Sequence, residues 1–464
     1  MRAWLLSVFV LAGCAPSRAP KPSSPGVALP SGTSPVTLEA GPPTVRTANP
    51  VLLQDVTLID GTGAPPRSGV DIFIADGRIA NIGEHLVAAE GTEVLALEGH
   101  TVLPGFIDAH VHMTFTPPPD YAQGVVREMK EQDADRALQG VANAWATLQA
   151  GFTTVRNVGG SFADRALRDA IDAGTVPGPR MLVANHAITI TGGHCDDTHG
   201  YRPELFPEMQ DYRAGVADSP DEVRKAVRYQ VKHGADVIKV CATAGVMSSG
   251  DTLGAPQMTP PELRVAVEEA HRAQLRVAAH AHGTQGIREA VEAGVDSVEH
   301  GSMLDDETVA LMKAKGTFLV PTLSAGEHVL RAADAGTLSA SSAAKARAIA
   351  PRMGESFAKA YAAGVRIALG SDAGVFGHGA NGHEFSAMVA AGMSPMDAIV
   401  AGTTEAAALL GRDDLGRVVE GAHADLVIVR GDPLTDITLL EVPAGVLKGG
   451  VLYVDPLRDR RGSE

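Results

Sequence analysis

Positive charge is scarce in this 464-residue chain: 39 Lys and Arg stand against 55 Asp and Glu, a formal net charge of -16. Phosphate binding needs clustered cations to replace counterions, so the deficit excludes a nucleic-acid partner and otherwise aids solubility. Long apolar runs are also missing. The one at the N-terminus, from Ala3 to Ala12, is too short to span a bilayer. No array of identical repeats is present. Cysteine occurs three times, at Cys14, Cys195 and Cys241. What is abundant is apolar and turn-forming material: 45% hydrophobic residues, 51 Gly and 29 Pro. That is the composition of a globular protein with many short connections. The length suits one large domain with a companion, or two to three ordinary ones.

The first residues, "MRAWLLSVFVLAGCAPS", place Arg2 before the short apolar run and read as an export signal. Leu11-Ala12-Gly13-Cys14 resembles the lipobox of bacterial lipoproteins, which implies lipidation of Cys14 and removal of residues 1–13. Ala15 in the next position resembles the outer-membrane-sorted type. Residues 14–48, rich in Pro, Ser, Gly and Thr, bury too little surface to offset ordering entropy and read as a tether. The expected location is therefore outside the cytoplasm, lipid-anchored at the bacterial outer membrane.

Beyond the tether, "VLLQDVTLID", "GVDIFIADGRIANIG" and "EVLALEGHTVLP" are short strand-like runs separated by turn residues. The same texture returns in "GRVVEGAHADLVIVRGDPL" and "GVLKGGVLYVD". Segments 49–104 and 416–458 are accordingly expected to form one small β-sandwich domain built from both termini. Between them, at 105–415, helical stretches end at glycine and strands follow directly, as in "VKHGADVIKV", "VEAGVDSVEH" and "YAAGVRIALGSD". Serial helix-to-strand units imply parallel strands. Strands near residues 105, 153, 182, 236, 276, 296, 317 and 366 number about eight, the count of an α/β fold of the (β/α)8 TIM-like barrel type. An open doubly wound sheet fits the same rhythm, because periodicity does not show closure.

The ends of these strands carry the unusual residues. "FIDAHVHMT" sets His110 and His112 two apart, hence on one face of a strand, where two imidazoles can share one metal. Lys239 sits inside the apolar strand "VIKV", where an unpaired ammonium would cost several kcal/mol. "RVAAHAHG" supplies His280 and His282, "DSVEHGS" supplies His300, and "IALGSDAG" supplies Asp372. Singly, each has an ordinary structural explanation. Together on one rim, they indicate a metal site.

These motifs and the β-rich flanks resemble the metal-dependent amidohydrolase superfamily over about residues 50 to 455. More closely, "TGGHCDDTHG", "VIKVCATAGVMS", "AAHAHG" and "SVEHGS" resemble the branch of Xaa-Pro and Xaa-Arg/Lys dipeptidases and ochratoxin-type amidohydrolases. The resemblance implies two divalent ions held by His110, His112, His280, His300 and Asp372, and bridged by Lys239 carboxylated with CO2. Zinc suits such a donor set, and manganese, cobalt or iron fit it too. It further implies hydrolysis of an amide bond in a dipeptide or N-acyl amino acid, with Asp372 as proton shuttle and His194 and His282 as hydrogen-bond donors to the oxyanion or substrate. His194 reads equally as a residue capping a turn.

Arg156, Arg202 or Arg213 could clamp a substrate carboxylate, and homo-oligomers are common among such relatives. Cys195 and Cys241 either pair or remain free thiols. Two departures stand out: Arg156-Asn157 replaces the branch's Arg-Asp, and "ATAG" replaces "ATGG". Cyclic-amide or lactone hydrolysis, deamination, and a non-catalytic binding scaffold are the competing readings.

Overall fold

The computed structural model describes residues 50–457 except 199, 207–209 and 249. The expected signal, tether and Cys14 lie outside the described residues. The strands are β1 (Val51–Leu58), β2 (Arg67–Ala75), β3 (Arg78–Gly83), β4 (Glu93–Ala96), β5 (His100–Pro104), β6 (Phe106–Val111), β7 (Phe152–Asn157), β8 (Arg180–Val183), β9 (Val237–Cys241), β10 (Arg276–Ala281), β11 (Ser297–His300), β12 (Phe318–Val320), β13 (Leu426–Arg430), β14 (Gly445–Lys448) and β15 (Val451–Val454).

Both chain ends contribute to one sheet in the order β15-β14-β13-β5-β1-β2-β3, with β4 also paired to β1. The join is β13 against β5, antiparallel, with Val427 opposite Leu103. Among the described residues all eight strands join in one hydrogen-bonded sheet. The cause is β1. It pairs in parallel with β4 through Val51–Gln54 and with β5 through Thr57–Leu58. Its ladder with β2 breaks register around Val56, beside Asp55, whose φ is 58°. Such bulges bend a strand, and apolar residues from across the sheet meet in one core. That core holds Leu53, Val56, Ile72, Leu426 and Ile428.

The middle of the chain forms two parallel arcs, β6-β7-β8 and β9 to β12 in sequence order. Hydrogen bonds join the arcs at both edges. Ile188 N–H donates to Lys239 O and Cys241 N–H to Ile188 O. On the other side Ala109 N–H donates to Leu369 O, Asp372 N–H to His110 O and Leu319 N–H to Arg366 O. Helices such as Pro220–Lys232 and Pro260–Arg272 run between the strands. Their starts follow the sequence signals: Ser219 accepts from Glu222 N–H, and Thr259 and Glu262 form a capping box. At Gly294 (φ 98°) and Gly316 (φ 71°) the chain turns out of a helix into the next strand. No helix among the described residues is long and apolar enough to cross a membrane.

Candidate metal centre and active-site cavity

The period-2 alternation of β6 turns His110 and His112 toward the same side, and parallel pairing lines up the later strands. Cys241 of β9 stands opposite His280, and Ala281 of β10 opposite His300. The result is a cluster of rings: His280 lies 4.7 Å from both His282 and His300, and His110 lies 5.0 Å from His300. Two groups have ligand atoms close enough to hold a cation, all within 4.8 Å of one another: His110, His112 and Asp372, and His280, His282 and His300. The sequence assigns His282, with His194, to donating hydrogen bonds to the oxyanion or substrate. The structure sets one of its ring nitrogens within 4.8 Å of ligand atoms of His280 and His300, where it can either ligate or donate.

Hydrogen bonds behind the rings fix what they present. Glu299 Oε2 accepts from His110 Nδ1 at 2.7 Å, and Gly159 O accepts from His112 Nδ1 at 2.8 Å. Both Nε2 atoms then carry a lone pair toward Asp372 Oδ1, 3.5 and 3.3 Å away. His300 Nδ1 is tied to Thr322 Oγ1 and His282 Nδ1 to Ser302 Oγ. His280 Nε2 and Asp372 Oδ1 are buried and have no hydrogen-bond partner. An orphaned buried acceptor costs about 1–3 kcal/mol. Lone pairs converging on a carboxylate without intervening protons are the donor set a divalent cation satisfies, so the residues present fit one.

Burial pushes His110 down to about 4 and His282 down to about 3, and it drives His280 and His300 well below the ordinary imidazole value. Neutral imidazoles are the ligating form. For His112 burial acts the same way, but the Asp372 carboxylate outweighs it and raises the value. Burial also lifts the carboxyl of Asp372, and the charges of His110, His112 and Lys239 more than reverse that. Lys239 is 3% exposed and burial lowers it to about 8. It lines the same cavity as both ligand groups, and its charge acts on His110, His280, His300 and Asp372.

His194 stacks on His280 at 4.1 Å, and its backbone N–H donates to Gln257 Oε1. Burial lowers it to about 4. A disulfide joins Cys195, the next residue, to Cys241 at the end of β9, with a Cα–Cα separation of 6.2 Å. This bridge fastens the His194 loop to the strand that carries Lys239.

Arg156 departs from expectation. It is 1% exposed and lies beneath the rings, donating to Glu299 at 2.9 and 3.1 Å, to Ser297 Oγ at 3.0 Å and to Ala109 O at 2.6 Å. A guanidinium so occupied is not available to a substrate carboxylate. Its partner Glu299, lowered to about 2 by Arg156 and His110 against the effect of burial, is the functional residue sequence reasoning missed. The available signal was a carboxylate inside the buried strand "SVEH", the same anomaly that exposed Lys239.

Backbone strain collects at this rim. His300 (φ 70°), Thr322 (φ 50°) and Asp372 (φ 61°) are all left-handed although none is glycine. Above them opens a cavity of about 570 Å³, lined by Lys239, the site histidines and an apolar wall including Val329, Ile349 and Met353. That is the size of a small-molecule site.

The sequence pattern of the Amidohydrolase family matches residues 101–452. Ochratoxinase from Aspergillus niger is 35% identical over 421 residues, spanning 86% of this chain and 85% of the relative. Two solved structures are similar in fold and sequence. A Xaa-Pro dipeptidase with methionine bound in its active site has a TM-score of 0.83 and 39% identity, covering 87% of this chain and all of that one. A prolidase complexed with N-methylphosphonate-L-proline has a TM-score of 0.78 and 31% identity, covering 87% and 99%. The neighbours carry a TIM-like α/β architecture, which the parallel arcs share. With this match over most of its length, the chain belongs to the amidohydrolase family and is a hydrolase acting on amide bonds.

Proposed function

We propose that the protein is a binuclear metal-dependent hydrolase of dipeptides or N-acyl amino acids, lipid-anchored through Cys14 at the bacterial outer membrane. The observation that carries the catalytic part is the convergence of unpartnered His280 Nε2 and Asp372 Oδ1 with the outward Nε2 atoms of His110 and His112 around Lys239. The hydrogen bonds joining both edges of the two arcs support reading them as a closed (β/α)8 barrel with this rim at its C-terminal face.

His110, His112 and Asp372 would hold one ion, and His280 and His300 the other, with zinc matching the donor set. Lys239 would join the two as a carbamate. Its amine, brought down to about 8, is neutral often enough to attack CO2 and shed a proton. When bound, the ions supply Lewis acidity to the scissile carbonyl and to the attacking water. Asp372 takes the proton from that water through its carboxylate and delivers it to the departing amine, acting first as base and then as acid. His194 and His282, packed on either side of His280, donate to the carbonyl oxygen as negative charge develops there. The Cys195–Cys241 bridge holds the first of these donors in place.

The test is hydrolysis of a dipeptide and N-acyl-amino-acid library by the metal-loaded full chain, with Asp372→Asn as control. Release of free amino acids that vanishes in the control supports the assignment. A silent library with metal bound overturns it in favour of cyclic amides, lactones or deamination.

A further inference from the structure

The cavity above the ligand cluster is lined by three basic side chains other than histidine, Lys239, Arg127 and Arg136. Their situations differ. Lys239 is buried and lines the cavity together with the site histidines. Arg127 is occupied: it forms an ion pair with Glu131 at 2.5 Å, donates to Gln139 and sits 5.8 Å from the centre of the Phe115 ring. Arg136, in the first turns of helix Asp133–Gln149, is half-buried, and among the described residues its guanidinium has no hydrogen bond or ion pair. Its electrostatic neighbours are His186 and Asp197, which line the same cavity and are not bonded to it. Of the acids on this wall, Glu131 is held by Arg127 and Glu128 by Tyr201.

A planar five-donor fork near Asp197 but bonded to no carboxylate, half out of water and facing the reaction chamber, is arranged to receive one. Arg202 is exposed and does not line the cavity, and Arg213 is paired with Asp211, so neither competes for the role.

We infer that Arg136 is the residue that reads the free carboxylate of the substrate, so the enzyme is specific for amides whose leaving or acyl portion carries an anion. The inference rests on the amide-hydrolase reading of the same cavity. Large apolar groups, Phe115 (41% exposed), Met129 (49%) and Met247 (50%), border the opening. Acids bearing an aromatic acyl group are therefore the appropriate probes.

The experiment compares the best N-aroyl amino acid of the library with its C-terminal carboxamide on wild-type enzyme, Arg136→Met and Arg136→Gln. Metal content and Tm are recorded for each, and binding of the acid is measured by calorimetry in an Asp372→Asn background. The expected result is that either Arg136 variant loses about 10- to 100-fold in kcat/KM for the acid, through KM, while the carboxamide is unaffected. Calorimetry should show a matching loss of affinity. An acid-to-amide ratio preserved in both variants, with metal content and Tm unchanged, overturns the assignment. If wild-type enzyme cleaves neither compound, the amide-hydrolase reading itself has failed, an outcome distinct from preserved discrimination.

Discussion

At the scale of single residues, the ligand cluster depends on groups that never touch substrate. Glu299 is the clearest. It accepts from His110 on one side and from Arg156 on the other, wholly out of solvent. Glu299→Gln would leave the Arg156 charge buried without its counter-charge, a change expected to cost about 3–5 kcal/mol, read from urea unfolding at neutral pH. The pH dependence follows from the lowered carboxyl. Its stabilisation is complete above the ordinary value of 4.5 and is lost as pH falls toward about 2. Wild-type stability should therefore fall across that window more steeply than that of Glu299→Gln, a difference that chemical unfolding at a series of pH values will reveal. Asp372→Asn keeps the shape and removes the base. It should retain metal and lose turnover on the order of 10²- to 10⁴-fold, measured by metal analysis beside initial rates.

These two carboxylates were not equally legible. Asp372 stood out because it follows a run of strand residues and ends it. Glu299 is masked in the sequence by His300 next to it, because alternation sends neighbouring side chains to opposite faces of a strand. Arg156 was misread for a related reason. The partner that buries it comes from a strand 143 residues away, and no local pattern records that.

At the scale of elements, the connection after β9 is the part most tightly tailored to the site. Gly245 lies against His194, and a Cβ there would overlap the imidazole ring. Lys345, reaching across from helix Ala340–Ala363, pins the same connection by donating to Gly245 O and Ser248 O and pairing with Asp251. Gly245→Ala should displace His194 from its stack on His280 and lower kcat on the order of 10²-fold with metal retained, which stopped-flow or steady-state rates will check. The departure from the family pattern one residue earlier, Ala244, is buried and makes backbone bonds with Ala255 and Gly254. It leaves Gly245 untouched. Helix starts, glycine stops and strand order were readable here because they are local. The disulfide was left open in the sequence because the separation of Cys195 and Cys241 is a property of the fold alone.

At the scale of the molecule, the terminal sheet and the parallel arcs are packed as one body. Along β13, Leu426 and Ile428 belong to the sheet core while Val427 and Val429 join the core beneath the arcs. A fragment limited to residues 105–415 would lose β13 and expose the arc core that Val427 and Val429 cover, and it should fail to give the cooperative thermal transition of the full chain in calorimetry.

The passage from sheet to site is shorter still. β5 ends at Pro104 and β6 begins at Phe106, so Gly105 alone separates them, wedged against Thr153 where no side chain fits. Mechanically this is a clamped beam. The strand carrying His110 is an extension of the strand gripping the C-terminal segment, and neither can swing without shearing the Asp372 N–H from His110 O. The terminal sheet is thus a fixed abutment for the strand that presents His110 and His112 to the chamber.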